Sequence, residues 1–192
     1  AILMFPEREG KNRNPTKAWR ENFYKANLTH KALHLCGSAI DKLAQEDKDL
    51  LHELDNYQRV QINLKPKYAN IDFVKQIINT VNKFAHIQFI TQYNEHNKEF
   101  FPYWNDVQNH AYLYDASLGK GVSPDIWYAP IKNKFCGYAG GLSPENIKNN
   151  LNSLQTVVKE DSIWIDMETG VRTNDNFDLN KVVDVLNIVK KY

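Results

Sequence analysis

What most constrains this chain is a recurrence: short apolar runs rich in β-branched and aromatic residues alternate with segments whose apolar residues repeat at helical spacing. Seven runs of strand character occur: Ala1 to Phe5, Ala32 to Cys36, Arg59 to Leu64, His86 to Ile90, Ala111 to Tyr114, Phe135 to Ala139 and Ser162 to Asp166. Between several of them the period changes to that of a helix. Val74, Ile77, Ile78 and Val81 follow Asn70, a residue suited to capping, and Val182, Leu186 and Val189 follow Asp178. Ile147, Leu151, Leu154 and Val158 follow Ser143, which is expected to cap a helix with Pro144 at its first position. Phe100 to Asn109 is polar and aromatic, and predicts no more than a turn of helix or a loop.

Strands alternating with helices imply a parallel sheet covered by helices, either open and doubly wound or closed into a barrel. An open nucleotide-binding sheet needs a glycine-rich fingerprint after its first strand, and Pro6-Glu-Arg-Glu-Gly10 does not supply one. A closed barrel needs eight strands and runs to about 250 residues, with compact examples near about 200. The expectation is therefore an α/β chain forming most of a (β/α)8 TIM barrel, one domain over residues 1–192, with its first strand lying ahead of Ala1.

Composition narrows the function. The 192 residues are 42% apolar and 24% charged, enough for one sizeable core. The 24 Lys and Arg against 23 Asp and Glu leave a net charge of +1, and the basic residues are scattered, which argues against nucleic acid or an acidic membrane surface as partner. No stretch approaches the roughly 18 apolar residues of a membrane span. Cys36 and Cys136 are far apart in strand-like runs, which fits reduced thiols and a cytoplasmic protein better than a disulfide framework. By elimination, a small-molecule ligand is expected.

In both parallel architectures ligands sit beyond the carboxyl ends of strands. The fifth run delivers Asp115 there, followed by Gly119-Lys120-Gly121. The sixth ends in Gly140-Gly141 and feeds the Ser143 helix, so backbone N–H groups and a helix N-terminus would face an anion. The seventh ends in Gly170-Val171-Arg172. Three adjacent strand ends thus predict one site for a phosphorylated small molecule. Blander readings stand beside this one. Asp115 can cap a turn, the glycines can serve tight turns, and Lys120 and Arg172 can be surface cations. Trp104, Trp127 and Tyr128 can stack on a substrate or close loops. Cys36 and His34 point the same way along one strand and, with Asp115 or Asp166, could form a metal set; a buried thiol and a core histidine are commoner, and neither metal nor cofactor is expected.

Tyr114-Asp115 with Gly119-Lys120-Gly121 and Trp127, then Ala139 to Asn146, then Asp166 with Thr169-Gly170-Val171 and the terminal Phe177 to Lys181, resemble phosphoribosylanthranilate isomerase of tryptophan biosynthesis. The likeness is close along the C-terminal part and loose along the N-terminal part. It implies an aldose–ketose isomerase that performs an Amadori rearrangement in an eight-stranded barrel without cofactor. A general acid opens the furanose ring to a Schiff base, and a general base removes the C2 proton. By position Asp115 would be the acid, while Gly140, Gly141, Gly170 and Val171 would offer backbone N–H groups to the phosphate. Arg13 would be the family's substrate-holding arginine, with Arg8 competing. The family's base is a cysteine in a Cys-Gly pair ending the first strand, so here it falls to the strand expected before Ala1 or to Cys36. Glu168, Thr169 and Arg172 differ from the family's choices. The alternative is a divergent barrel that binds a phosphorylated metabolite with other chemistry, or as a non-catalytic sensor.

Overall fold

A computed structural model describes residues 1–26, 28–64, 70–115 and 122–192. They gather into two compact units, Ala1–Ala111 and Tyr112–Tyr192. The fold class is α/β with parallel strands, as the alternation of periods predicts.

In the first unit β1 (Ile2–Met4), β2 (Ala32–Leu35), β3 (Arg59–Ile62) and β4 (Gln88–Tyr93) lie side by side in chain order, each parallel to the next. The connections carry α1 (Lys17–Lys25), α2 (Ser38–Ala44), α3 (Lys48–Leu54) and α4 (Ile71–Val81); the short α5 (Phe101–Trp104) follows β4. Caps start these helices where the sequence offers a side-chain oxygen. Thr16 accepts from Trp19 N–H at 3.2 Å, Asp47 from Leu50 N–H at 3.0 Å, and Asn70 from Asp72 N–H at 2.8 Å. Leu33, Leu35, Val60 and Ile62 on the strands are buried, as are Ile40 and Leu43 of α2 and Val74, Ile77 and Val81 of α4. Thr80 of α4 donates to the Leu43 carbonyl at 3.1 Å, tying α4 to α2.

A buried ion pair fixes α1 to α3. Arg20, 4% exposed, donates from Nε to Glu53 at 2.7 Å and from Nη1 to the Pro15 carbonyl at 3.0 Å. The Tyr24 hydroxyl donates to the same Glu53 oxygen, and its ring meets Tyr57 edge-on. Burial pushes the Tyr57 phenol up to about 12.

The fourth strand begins two residues later than its apolar run predicts and extends through Thr91, Gln92 and Tyr93. Backbone accounting explains the shift. Ile87 N–H closes a turn on the Phe84 carbonyl at 3.0 Å, and the Asn109 amide donates to the Val81, Phe84 and Ile87 carbonyls at 3.2, 2.9 and 3.0 Å. Those groups are therefore spent on a turn. Phe100 to Asn109 forms the end of a 3-10 turn and the four-residue α5.

The division between the units falls inside β5 (His110–Asp115). In the second unit β5, β6 (Cys136–Ala139) and β7 (Ile163–Asp166) are parallel and in chain order. No helix joins β5 to β6 among the described residues, 122–135. Tyrosines hold that segment instead: Tyr114 donates to the Ala129 carbonyl at 2.9 Å and Tyr138 to the Tyr128 carbonyl at 2.8 Å. Their rings stack at 5.1 Å, with Trp127 edge-on to Tyr138.

The helix after β6, α6 (Ile147–Val158), starts later than the expected Ser143 cap, and its N-cap is Asn146. Ser143 to Asn146 form a separate turn, because the Asn146 and Ile147 N–H groups both go to the Ser143 carbonyl, at 3.2 and 2.9 Å. Beyond β7 come a 3-10 turn (Thr169–Val171), the antiparallel pair β8 (Arg172–Thr173) and β9 (Asn176–Phe177), and α7 (Leu179–Val189). Asp178 caps α7, accepting from Asn180 and Lys181 N–H at 3.0 and 3.4 Å.

Candidate functional site

The register of the second unit aligns its strand ends. Asp115 pairs with Ala139, and Ala139 with Asp166, so the two carboxylate residues stand level across three strands. Register partners in a parallel sheet share a face, and two strand spacings separate the outer pair by about 10 Å. Asp115 is 7% exposed and Asp166 is half-buried. One layer deeper on that face are Leu113, Gly137 and Trp164. The indole occupies the space a Cβ at Gly137 would need, and Phe135 packs on it at 4.7 Å between ring centroids. Only a residue without a side chain on β6 lets Trp164 lie there.

The loops beyond β6 and β7 meet. A Cβ on Gly170 would overlap the Leu142 carbonyl oxygen and sit 3.1 Å from the Ser143 Cα, so the two loops touch backbone to backbone. Gly140 and Gly141 have φ of +137° and +54°, conformations that glycine adopts without a steric penalty. Asn146 braces their loop: its amide nitrogen donates to the Gly141 carbonyl at 2.8 Å and its amide oxygen accepts from Ser143 N–H at 2.9 Å. A hydrogen bond from the Ser143 hydroxyl, with Lys181 adding its charge, holds the Glu145 carboxyl below the usual carboxylate range. Lys181 itself donates to the Arg172 carbonyl at 2.7 Å.

The structure therefore brings together Gly140, Gly141, Gly170 and Val171 in one pair of loops above the row that holds Asp115. Val171 is buried. Arg172 is turned to the β8–β9 hairpin, where its Nη1 donates to the Asp175 carbonyl at 2.6 Å. Gly119, Lys120 and Gly121 lie outside the described residues. Cys36 and Arg13 belong to the first unit. Cys36 is buried, and Asn63 directs its amide nitrogen to the sulfur at 3.7 Å. Arg13 is half-buried, while Arg8 lays its guanidinium over the Phe5 ring at 5.1 Å. His34 meets the Gln61 amide at 3.2 Å. Among the described residues no group of three or more His, Cys, Asp or Glu side chains is placed to hold a metal ion, and no helix is long and apolar enough to cross a membrane.

Of the expected stacking aromatics, Trp104 is buried against His110 at 4.6 Å and Trp127 against Tyr138, both as packing, whereas Tyr128 is exposed. Reading the sequence overlooked Asn146 as a brace and Trp164 as the aromatic beside the carboxylates. Asn146 carried a signal, an amide three residues after Ser143 at a helix start; Trp164 carried a weaker one, an aromatic next to a glycine-bearing strand.

The fold and this row define the class: an α/β protein of parallel strands whose candidate site lies at their carboxyl ends. Comparison with models of known protein families, with curated proteins and with solved structures finds no match to the chain.

Proposed function

We propose that the protein is a phosphosugar isomerase similar to phosphoribosylanthranilate isomerase, built on a (β/α)8 barrel to which the seven parallel strands contribute. In this reading Asp115 is the general acid that protonates the ring oxygen, so that the C1–O bond breaks and a Schiff base forms. The glycine loops bearing Gly140, Gly141, Gly170 and Val171 receive the phosphate, with Lys120 and Arg172 as accessory cations and Arg13 as a substrate-holding arginine. Cys36 is the candidate for the base that takes the C2 proton. The observation that carries the reading is the level placement of Asp115 at the end of β5 beside the two touching glycine loops. A buried carboxylate next to an anion cradle is what acid-catalysed opening of a phosphorylated sugar requires.

The experiment is the fluorescence decay of freshly formed phosphoribosylanthranilate on adding the protein. Rapid decay that Asp115→Asn abolishes, with folding retained, is the expected result; a folded protein that leaves the fluorescence unchanged removes the isomerase assignment. The second reading, a phosphate-binding barrel with other chemistry or none, is favoured by the burial of Cys36 and the engagement of its sulfur by Asn63. It predicts binding of a phosphorylated sugar without decay.

A further inference from the structure

Parallel strands covered on both faces usually read as continuous apolar runs. In the first unit they do not: β2 and β3 alternate, Leu33-His34-Leu35-Cys36 beside Val60-Gln61-Ile62-Asn63. One face is closed, with Leu33, Leu35, Val60 and Ile62 all at 0% exposure. The other is a ladder of polar rungs made by register partners. Arg59 donates from Nε to Gln88 at 2.8 Å, Gln61 meets His34 at 3.2 Å, and Asn63 meets the Cys36 sulfur at 3.7 Å. Arg59, His34, Gln61 and Asn63 are half-buried, so this face is within reach of a ligand.

The rungs use only part of what the amides can offer. Gln61 and Asn63 each spend one side-chain group on the neighbouring strand, and the other end of each amide meets no protein partner among the described residues. Gln61 in β3 and Asn63 just beyond its end project on the same face, two residues and therefore about 6.6 Å apart. Both residues are half-buried, so the free end of each amide is open to water or to a ligand that replaces it. No carboxylate lies in these two rungs to call for a cation, and the amide oxygens repel an anion. A hydroxyl both donates and accepts, so it pairs with an amide whichever way the amide is turned.

We propose that Gln61 and Asn63 form a binding site for a neutral, hydroxyl-bearing small molecule on the polar face of the first unit. Gln61 and Asn63 have no part in the glycine loops that receive the phosphate in the proposed function, although the Asn63 rung touches Cys36, the candidate base of that reading.

The test is side-chain amide NMR on the whole chain, titrated separately with ribitol and with inorganic phosphate. Ribitol is expected to move the Gln61 and Asn63 amide resonances together and saturably, while phosphate leaves them in place. Gln61→Leu should weaken the ribitol response read at Asn63 about tenfold, the worth of one good hydrogen bond. Asn63→Ala, read at Gln61, gives the same measurement if the first variant misfolds. Amide resonances that ribitol leaves unmoved, that phosphate moves equally, or that respond unchanged in both variants overturn the proposal. Phosphate shifts confined to Gly140, Gly141 and Gly170 bear only on the second-unit site, so the two readings fail separately.

Discussion

Gly170 illustrates how a position singled out in the sequence for one reason has a second role in the structure. From the sequence it is a glycine after a strand in a phosphate-binding pattern; in the structure its missing Cβ is what lets the β7 loop rest on the Leu142 carbonyl. Gly170→Ala is therefore expected to destabilise the protein by about 2 kcal/mol, since backbone on backbone cannot relax as a side chain can. Urea unfolding with unchanged slope would measure it, and a loss within error would mean that the loops move apart freely. Asp115 was legible from its place at the end of an apolar run. Its level alignment with Asp166 was not, because register depends on how strands pair and not on either strand alone. Arg172, next to a glycine, reads from the sequence as an anion partner, and the structure adds a contact that the sequence did not show, from its guanidinium to the Asp175 carbonyl of the following hairpin.

Among the elements, the best-marked helices were those with a capping residue and a full apolar stripe, and α4 and α7 begin where Asn70 and Asp178 place them. Ser143 misled because a serine and a following proline serve a turn equally well, and Asn146, folding back on the Ser143 N–H and the Gly141 carbonyl, delays the helix by one turn. The helices α1 and α3 depend on contacts far apart in sequence. Their joint is the Arg20–Glu53 pair, with both side chains close to fully buried. Removing the carboxylate alone leaves a buried guanidinium with only the more exposed Glu9 carboxylate at 3.6 Å, so Glu53→Ala is expected to cost about 3 kcal/mol. The double variant Arg20→Met/Glu53→Leu should lose distinctly less, as no charge is then stranded. Equal losses in thermal unfolding would show that packing, and not charge, holds the joint.

For the whole chain, the net charge of +1 gives little long-range field, and pH acts through a few buried groups. Burial raises the phenols of Tyr24 and Tyr138 and brings Tyr57 from 10.0 to about 12. A phenol raised in the folded state favours its protonated form there, so its contribution to stability is complete below pH 10 and is lost as pH rises through about 12. Circular dichroism and phenolate absorbance followed together should show these tyrosines ionising only as the fold is lost; early ionisation of all ten tyrosines with the fold intact would contradict it. The sequence by itself determined the α/β class, the seven strands to within a few residues, and the placing of Asp115 and the glycine pairs at strand ends. It could do so because period, capping and turn chemistry are local. Only the tertiary structure decided which strand ends stand level, that two glycine loops touch, that tyrosines hold the described segment before β6, and that Gln61 and Asn63 share a polar face, for these follow from pairing register and close packing between residues distant in the chain.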